Sequence, residues 1–410
     1  MGNSNKKELL SIASIPLIMT LGNSMLIPVL PAIRSKLSVT SLQVSLLITV
    51  YSAIAILLIP IAGYLSDRFG RKIVIIPSLI ITGIGGLLSG LAAWWVDQPY
   101  IMMLLGRFIQ GIGAAGAFPI VIPLVGDIFK KESDVSSGLG LVETANTFGK
   151  VLSPILGSAL AMAIWFLPFL FIPLLCLISM LLVLFLVKPP AKSTEQANPV
   201  SFAGYLSNIK TIFKNNGRWL YAIFAIGCVC MLVIFGVLTY LSDLLEDKVH
   251  VVGVIKGCLL AIPLAALCLA SFATGKLIGR NQRLMKWIIF AGLILLTGSL
   301  LVCGWATSTY VLMTLISLAG IGIGAALPCL DVMITEGIEK EQRGTITSIY
   351  SSMRFIGVAI GPPLASILVK SSPSLMFFII AGLSVVASAI ALFAIRPKKD
   401  EKLPLKGALA

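Results

Sequence analysis

The chain has 410 residues, of which 58% are hydrophobic and only 12% charged, with 31 Lys and Arg against 17 Asp and Glu. That charge density is roughly half that of an ordinary soluble domain, which excludes water as the main solvent. The net charge of +14 does not call for nucleic acid, because the basic residues fall where anionic lipid headgroups are expected.

Apolar runs near the ~20 residues needed to cross a bilayer occur at about 9–30, 43–65, 73–95, 100–125, 138–162, 165–187, 219–241, 251–274, 287–306, 310–334, 345–369 and 374–395. These twelve spans are continuous rather than alternating, which argues against an outer-membrane barrel. Span 1 follows Lys6 and Lys7 at full length with no small-residue cleavage site, so it is expected to stay in the membrane. With the N-terminus inside, cytoplasmic segments hold 23 of the 31 basic residues and outer loops only 4, namely Arg34, Lys36, Lys248 and Lys370. The positive-inside rule then places both termini in the cytoplasm.

Span 1 contains Asn23-Ser-Met-Leu-Ile-Pro28-Val-Leu-Pro31, and span 2 runs into Gly63-Tyr-Leu-Ser-Asp67-Arg68-Phe-Gly70-Arg71-Lys72. A turn between two helices needs flexible glycine ends, and Asp67 with Arg68 and Arg71 can form charged contacts there, so this loop reads as a latch. Span 4 carries Leu105-Gly-Arg107-Phe-Ile-Gln110-Gly111 and ends near Asp127. In span 5, Glu143, Asn146 and Lys150 stand at i, i+3 and i+7 on one helix face. Gly149, Ser153 and Gly157, spaced by four, form a small-residue stripe that lets another helix come close, with Pro154 beside it.

The longest polar stretch, Lys188 to Arg218, divides the chain into residues 1–187, a linker over 188–217, and residues 218–410. Within it, Phe202, Tyr205, Ile209, Ile212 and Phe213 recur at helical spacing beside Lys210 and Lys214. That pattern suits a helix lying on the headgroups or a plain linker equally well. In span 8, Lys256 lies near the outer end and can snorkel to the interface. Span 10 places Asp331 one turn after Pro328. Span 11 holds Arg354 and a second stripe, Gly357 and Gly361, followed by Pro362 and Pro363.

The halves are related. Gly63, Leu65, Arg68 and Arg71 recur as Gly275, Leu277, Arg280 and Arg283; Gly113, Pro119 and Asp127 as Gly322, Pro328 and Glu336; Gly149 and Pro154 as Gly357 and Pro362. Three matched pairs in one order indicate duplication, the plan on which many transporters enclose a midplane site. The fold class expected is an all-α membrane protein with twelve transmembrane helices in two pseudo-symmetric six-helix bundles.

These motifs resemble the major facilitator superfamily. Gly63 to Lys72 resembles its signature between helices 2 and 3, and Leu105 to Gly111 the helix-4 signature of its proton-coupled members. Asn23 to Pro31 and Gly149 to Gly157 are similar to the helix-1 and helix-5 signatures of the twelve-helix drug:proton antiporters, with Ser153 and Ser158 where glycine is usual. The resemblance implies that Gly63, Asp67, Arg68, Gly70 and Arg71 latch the cytoplasmic side, with Asp127 as partner of Arg68 or Arg71. It also implies that the stripes seal the two halves against each other.

Ionisable residues inside spans cost about 2.5–3.5 kcal/mol on insertion scales and are functional candidates for that reason. Asp331, Glu143 and Arg107 are the expected proton-coupling residues, because desolvation and a neighbouring cation pull a carboxylate's proton affinity in opposite directions. Asn23, Asn146, Lys150 and Arg354 are expected to line the substrate cavity. Duplication sets Arg354 where Asn146 lies and sets Asp331 where Ile122 lies, so the acid is a one-sided addition. The sole histidine, His250, falls in an outer loop; no nucleophile sits with a base and no cysteine spacing suggests a metal, so no enzymatic activity is expected.

The function expected is a proton-driven exporter of apolar, in part cationic, drug-like compounds in the inner (plasma) membrane. Export of a metabolite or sugar, lipid flipping, and a non-transporting receptor are the alternatives. The proton is the coupling ion and no cofactor is expected. The chain is expected to be a monomer whose partners are a small-molecule substrate and the lipid bilayer.

Overall fold

In hydrocarbon every backbone N–H and C=O must be paired within its own segment or by buried neighbours, and the chain answers with helices throughout. A computed structural model describes residues 3–129, 132–188, 202–278, 281–338 and 340–395. Among them are α1 (Asn3–Ser24), a 3-10 turn (Ile27–Val29), α2 (Leu30–Leu37), α3 (Ser41–Phe69), α4 (Arg71–Trp95), α5 (Tyr100–Ala117), α6 (Val121–Ile128), α7 (Glu132–Ala163), α8 (Leu167–Leu186), α9 (Phe202–Asp247), α10 (Gly253–Leu277), α11 (Gln282–Cys303), α12 (Thr309–Gly337), α13 (Lys340–Ser371) and α14 (Pro373–Ala394). Among the described residues eleven spans are long and apolar enough to cross a membrane, α1–α2 and α5–α6 each counting as one. The 32-residue α7, which carries the polar face of span 5, makes the twelfth.

Helix starts follow local chemistry. Thr40 and Gln43 form a reciprocal capping box at α3, with Thr40 N donating to Gln43 Oε1 at 2.9 Å and Gln43 N to Thr40 Oγ1 at 3.2 Å. Asn281 caps α11 by accepting from Leu284 N at 3.0 Å. Proline decides where span 1 breaks. Pro31 has no N–H for the carbonyl four residues earlier, Ile27, which accepts from Leu30 N at the end of the 3-10 turn and keeps a lone pair for a partner outside the helix.

The first half packs α1 on α7 and α8, α4 on α5 and α8, and α3 on α5; the second packs α9 on α13, α12 on α10 and α11, and α11 on α14. These are two six-helix bundles. They meet along two seams, α3 against α13 and α7 against α10. Polar contacts cross the first seam: Thr49 Oγ1 donates to Ala359 O at 2.7 Å, and Ser352 Oγ to Ile56 O at 3.4 Å. On the second seam Gly257 lies against Pro154 O and Ile155, where a Cβ would have no room.

Two expectations change. The amphipathic segment of the linker is no separate surface helix, because from Phe202 it continues unbroken into span 7 as the 46-residue α9. Phe213 packs tilted against Tyr221 and edge-on to Phe224, and Ile212 is buried, so this stretch packs on its own bundle. Residues 189–201 of the linker lie outside the described residues. The stripes also differ. A Cβ at Gly149 would meet Leu17 O at 3.1 Å and one at Gly157 would run into Met25 O, so that stripe seats α7 on α1; Gly357 and Gly361 likewise face Cys228 O and Leu232 O of α9. The close approach of these stripes is within each half, and Gly257, with Gly253 against Met162, serves the seam.

Candidate functional site

For orientation, the bundle end bearing Arg71 and Lys72 is the basic end, and the end bearing Arg34 and Ser41 is the far end. Between the halves lies a group of charges contributed by both. On α7, Asn146 Nδ2 donates to both Glu143 carboxylate oxygens at 3.2 Å, while Asn146 Oδ1 accepts from Thr20 Oγ1 of α1 at 2.6 Å. The i, i+3 spacing read from sequence is therefore used directly. Facing it, Arg354 Nη1 of α13 stands 3.5 Å from Asp331 Oδ1 of α12, and the guanidinium lies over the Tyr350 ring at 5.6 Å. Lys150 is within electrostatic range of Arg354, Glu143 and Asp331. The structure thus brings Glu143, Asn146, Lys150, Asp331 and Arg354 together across the seam.

Lys150 differs from its neighbours. It is 6% exposed, and its Nζ has no hydrogen-bond acceptor. It borders a cavity of about 10 Å³, shared with Ser24, Ser153, Pro154 and apolar side chains that include Phe235 and Leu264.

Arg107 stands apart from this group. It is fully buried and donates to Leu47 O at 2.7 Å, Gln110 Oε1 at 2.7 Å and Asn23 Oδ1 at 2.6 Å, with its guanidinium 4.4 Å from the Tyr51 ring centroid. Its hydrogen-bond acceptors are all neutral. Asn23, expected in the substrate cavity, is instead the acceptor that ties α1 to α5 through Arg107.

At the basic end, Gly70 adopts φ +106°, a conformation that disfavours any side chain, and turns α3 into α4. The turn brings Arg71 onto Asp67; Arg71 Nε also donates to Asp127 Oδ2 at 3.0 Å, and its Nη1 to Ser66 Oγ at 2.8 Å. Of the two arginines offered by the sequence, Arg71 takes Asp127. Arg68 lies over the Phe69 ring at 5.5 Å and within 3.5 Å of the Tyr64 hydroxyl. Gly63 is buried in α3. The duplicate of this loop, around Gly279 and Arg280, lies outside the described residues.

The far end carries a set of contacts that the sequence did not disclose. Arg34 grips Asp247 with two bonds of 2.9 and 2.7 Å and reaches Asp243 at 3.7 Å. Lys256 is 1% exposed and does not snorkel: it donates to Glu246 Oε2 at 2.7 Å and to Pro28 O at 2.8 Å. Ser242 Oγ donates to Ile27 O at 3.0 Å, the carbonyl that Pro31 cannot reach. Every one of these except Lys256 to Glu246 joins the first half to the second. The signal was present as three acids, Asp243, Glu246 and Asp247, ending span 7 opposite Arg34 at the end of span 1.

The sequence profile described as Major Facilitator Superfamily matches residues 12–285 and 256–409. The chain is similar to the bacillibactin exporter of Bacillus subtilis (strain 168), at 55% identity over 97% of this chain and 98% of that one. It is also similar to multidrug resistance protein 2 of the same organism, at 25% identity over 89% of this chain and 90% of that one. Among solved structures, a bacterial homolog of the human lysosomal transporter Spinster, inward-facing and unoccupied, superposes with a TM-score of 0.76 at 17% identity. The match covers 96% of this chain and 97% of that one. With matching motifs, two bundles and a profile that spans nearly its whole length, the chain belongs to the major facilitator superfamily, and it is a multi-pass membrane transporter.

Proposed function

We propose that the protein is a proton-coupled exporter of bacillibactin or of a compound resembling it, working in the plasma membrane with the basic end in the cytoplasm. The observation that carries the substrate is the end-to-end relationship, 55% identity over 97% of the chain, to a bacillibactin exporter. The charged cluster supports it. A site that keeps a buried ammonium without an acceptor, beside serine hydroxyls, suits a polar, oxygen-bearing substrate better than the cationic drug expected from motif resemblance. Relatives named for multidrug resistance keep drug export as the second reading, and the apolar side of the cavity favours it.

Coupling is assigned to Asp331 with Arg354, with Glu143 as a second acid. Asp331 is half-buried, 27% exposed at the side chain, and has its cation 3.5 Å away. Protonation of the acid releases Arg354 within the second half, and loss of the proton recaptures it, so one proton decides whether the guanidinium is held by Asp331 or is free to act on Glu143 across the seam. An elementary charge moving through 100 mV supplies about 2.3 kcal/mol, roughly a fiftyfold gradient. The far-end contacts are the outer gate of this cycle, and Asp67, Arg71 and Asp127 form the cytoplasmic latch.

The test is secretion. A host deprived of its own bacillibactin exporter and given this chain is expected to regain bacillibactin in the medium, measured by mass spectrometry. Unrestored secretion with normal protein in the membrane, together with resistance gained in a drug-pump-deficient host, would favour the second reading.

A further inference from the structure

Four basic residues lie inside spans, and three have their acceptors. Arg107 has three, Lys256 has two, and Arg354 has Asp331. Lys150 has none. Its nearest acids are occupied elsewhere, Glu143 by Asn146 and Asp331 by Arg354. An ammonium held away from water without a hydrogen-bond acceptor is costly, and in a membrane transporter such a residue is a candidate for the substrate path.

The surroundings of Lys150 leave its ammonium as the unfilled donor for a ligand group with lone pairs. Ser24 of α1 and Ser153 of α7 border the same cavity, whose 10 Å³ has room for one water. Pro154 cannot donate to the carbonyl four residues earlier, which is that of Lys150, and Ser153 Oγ supplies the replacement bond at 3.0 Å. The backbone at Lys150 is thus satisfied locally, and the side chain remains the unfilled partner. Ile234, Phe235, Leu238 and Leu264 form the opposite, apolar wall from the second half. Because that wall and Lys150 belong to different halves, relative movement of the halves widens the space between them.

Resting on the exporter reading and deepening it, we propose that Lys150 is the anion-recognition residue of the transport site, holding an oxyanion of the substrate, a carboxylate or phenolate, while the apolar wall receives its ring or hydrocarbon part. Lys150 is then the residue that separates oxyanionic substrates from lipophilic cations.

The experiment is equilibrium binding to the full-length protein in nanodiscs, with bacillibactin, salicylate and tetraphenylphosphonium as probes. Lys150→Met is expected to weaken bacillibactin binding about tenfold or more, the loss of one charge-assisted hydrogen bond. Lys150→Arg is expected to stay within about threefold of wild type, and tetraphenylphosphonium to bind Lys150→Met at least as well as wild type. A thermal transition near that of wild type checks the fold of each variant, and Lys150→Gln replaces Lys150→Met if the latter does not fold. Equal bacillibactin affinity in wild type and Lys150→Met overturns the proposal while leaving the exporter reading in place. Wild type that binds salicylate but not bacillibactin, with salicylate lost in Lys150→Met, sustains Lys150 and sinks the named substrate. Wild type that binds only tetraphenylphosphonium overturns both.

Discussion

Arg107 makes three hydrogen bonds with neutral acceptors and lies over the Tyr51 ring, so its removal strands Asn23 and Gln110 inside the first bundle. Arg107→Met is expected to cost about 2–4 kcal/mol of stability, read as a lower thermal transition of the purified protein; an unchanged transition would contradict its holding role. For Asp331→Asn the expectation is different: substrate still binds, but ΔpH no longer drives accumulation, because the side chain is fixed in a protonated-like state. Glu143→Gln belongs beside it, since Glu143 is the second acid of the same cluster. Some of this was legible. Gln110 follows Arg107 by three residues and Asn146 follows Glu143 by three, and helix periodicity predicts both contacts. Asn23 is 84 residues from Arg107 in the chain, and nothing in the spacing reveals a tertiary partner of that kind.

The proposed gates are built from helix ends. The proposed latch joins α3, α4 and α6 through Arg71, all within the first half. Asp67→Asn removes one charged acceptor, worth about 1.5–3 kcal/mol, and is expected to lower transport about tenfold with normal membrane abundance; full transport would reduce the loop to a topology signal. The far-end contacts rank by burial. Arg34 and Asp247 are partly solvated, so Arg34→Ala is expected to shift the far end toward opening by less than about 1 kcal/mol. Lys256 is buried, and Lys256→Met abandons Glu246 and Pro28 O, at a cost of about 3–5 kcal/mol. Spin labels at positions 36 and 248 measure the opening, and an effect of Arg34→Ala larger than that of Lys256→Met would refute the ranking. Hydropathy disclosed these helices because their length and apolarity are set by the bilayer. It could not disclose the far-end pairs, since charge at a span end looks alike whether it faces water or another helix. The stripe on span 5 was visible as spacing, but spacing does not say which neighbour comes close, and the neighbour is α1 of the same half.

At the scale of the whole molecule, duplication in sequence became two bundles meeting along α3–α13 and α7–α10, because a repeated six-helix unit buries its polar face only against its twin. The one-sided residues are where the halves stop being equivalent: Asp331 against Ile122, and Arg354 against Asn146. Orientation rests on the count of basic residues. Single cysteines at positions 36 and 248 are expected to react with an impermeant reagent from outside and one at position 210 only from inside, and reversal would overturn the topology. The central claim, proton-driven export of a bacillibactin-like substrate through the charged seam, is tested most directly in proteoliposomes given an imposed pH gradient. Wild type is expected to concentrate bacillibactin on the acidic side and to lose this with a protonophore, while Asp331→Asn binds the compound without concentrating it. Gradient-driven accumulation by Asp331→Asn equal to wild type, or wild-type transport indifferent to the gradient, would contradict the account.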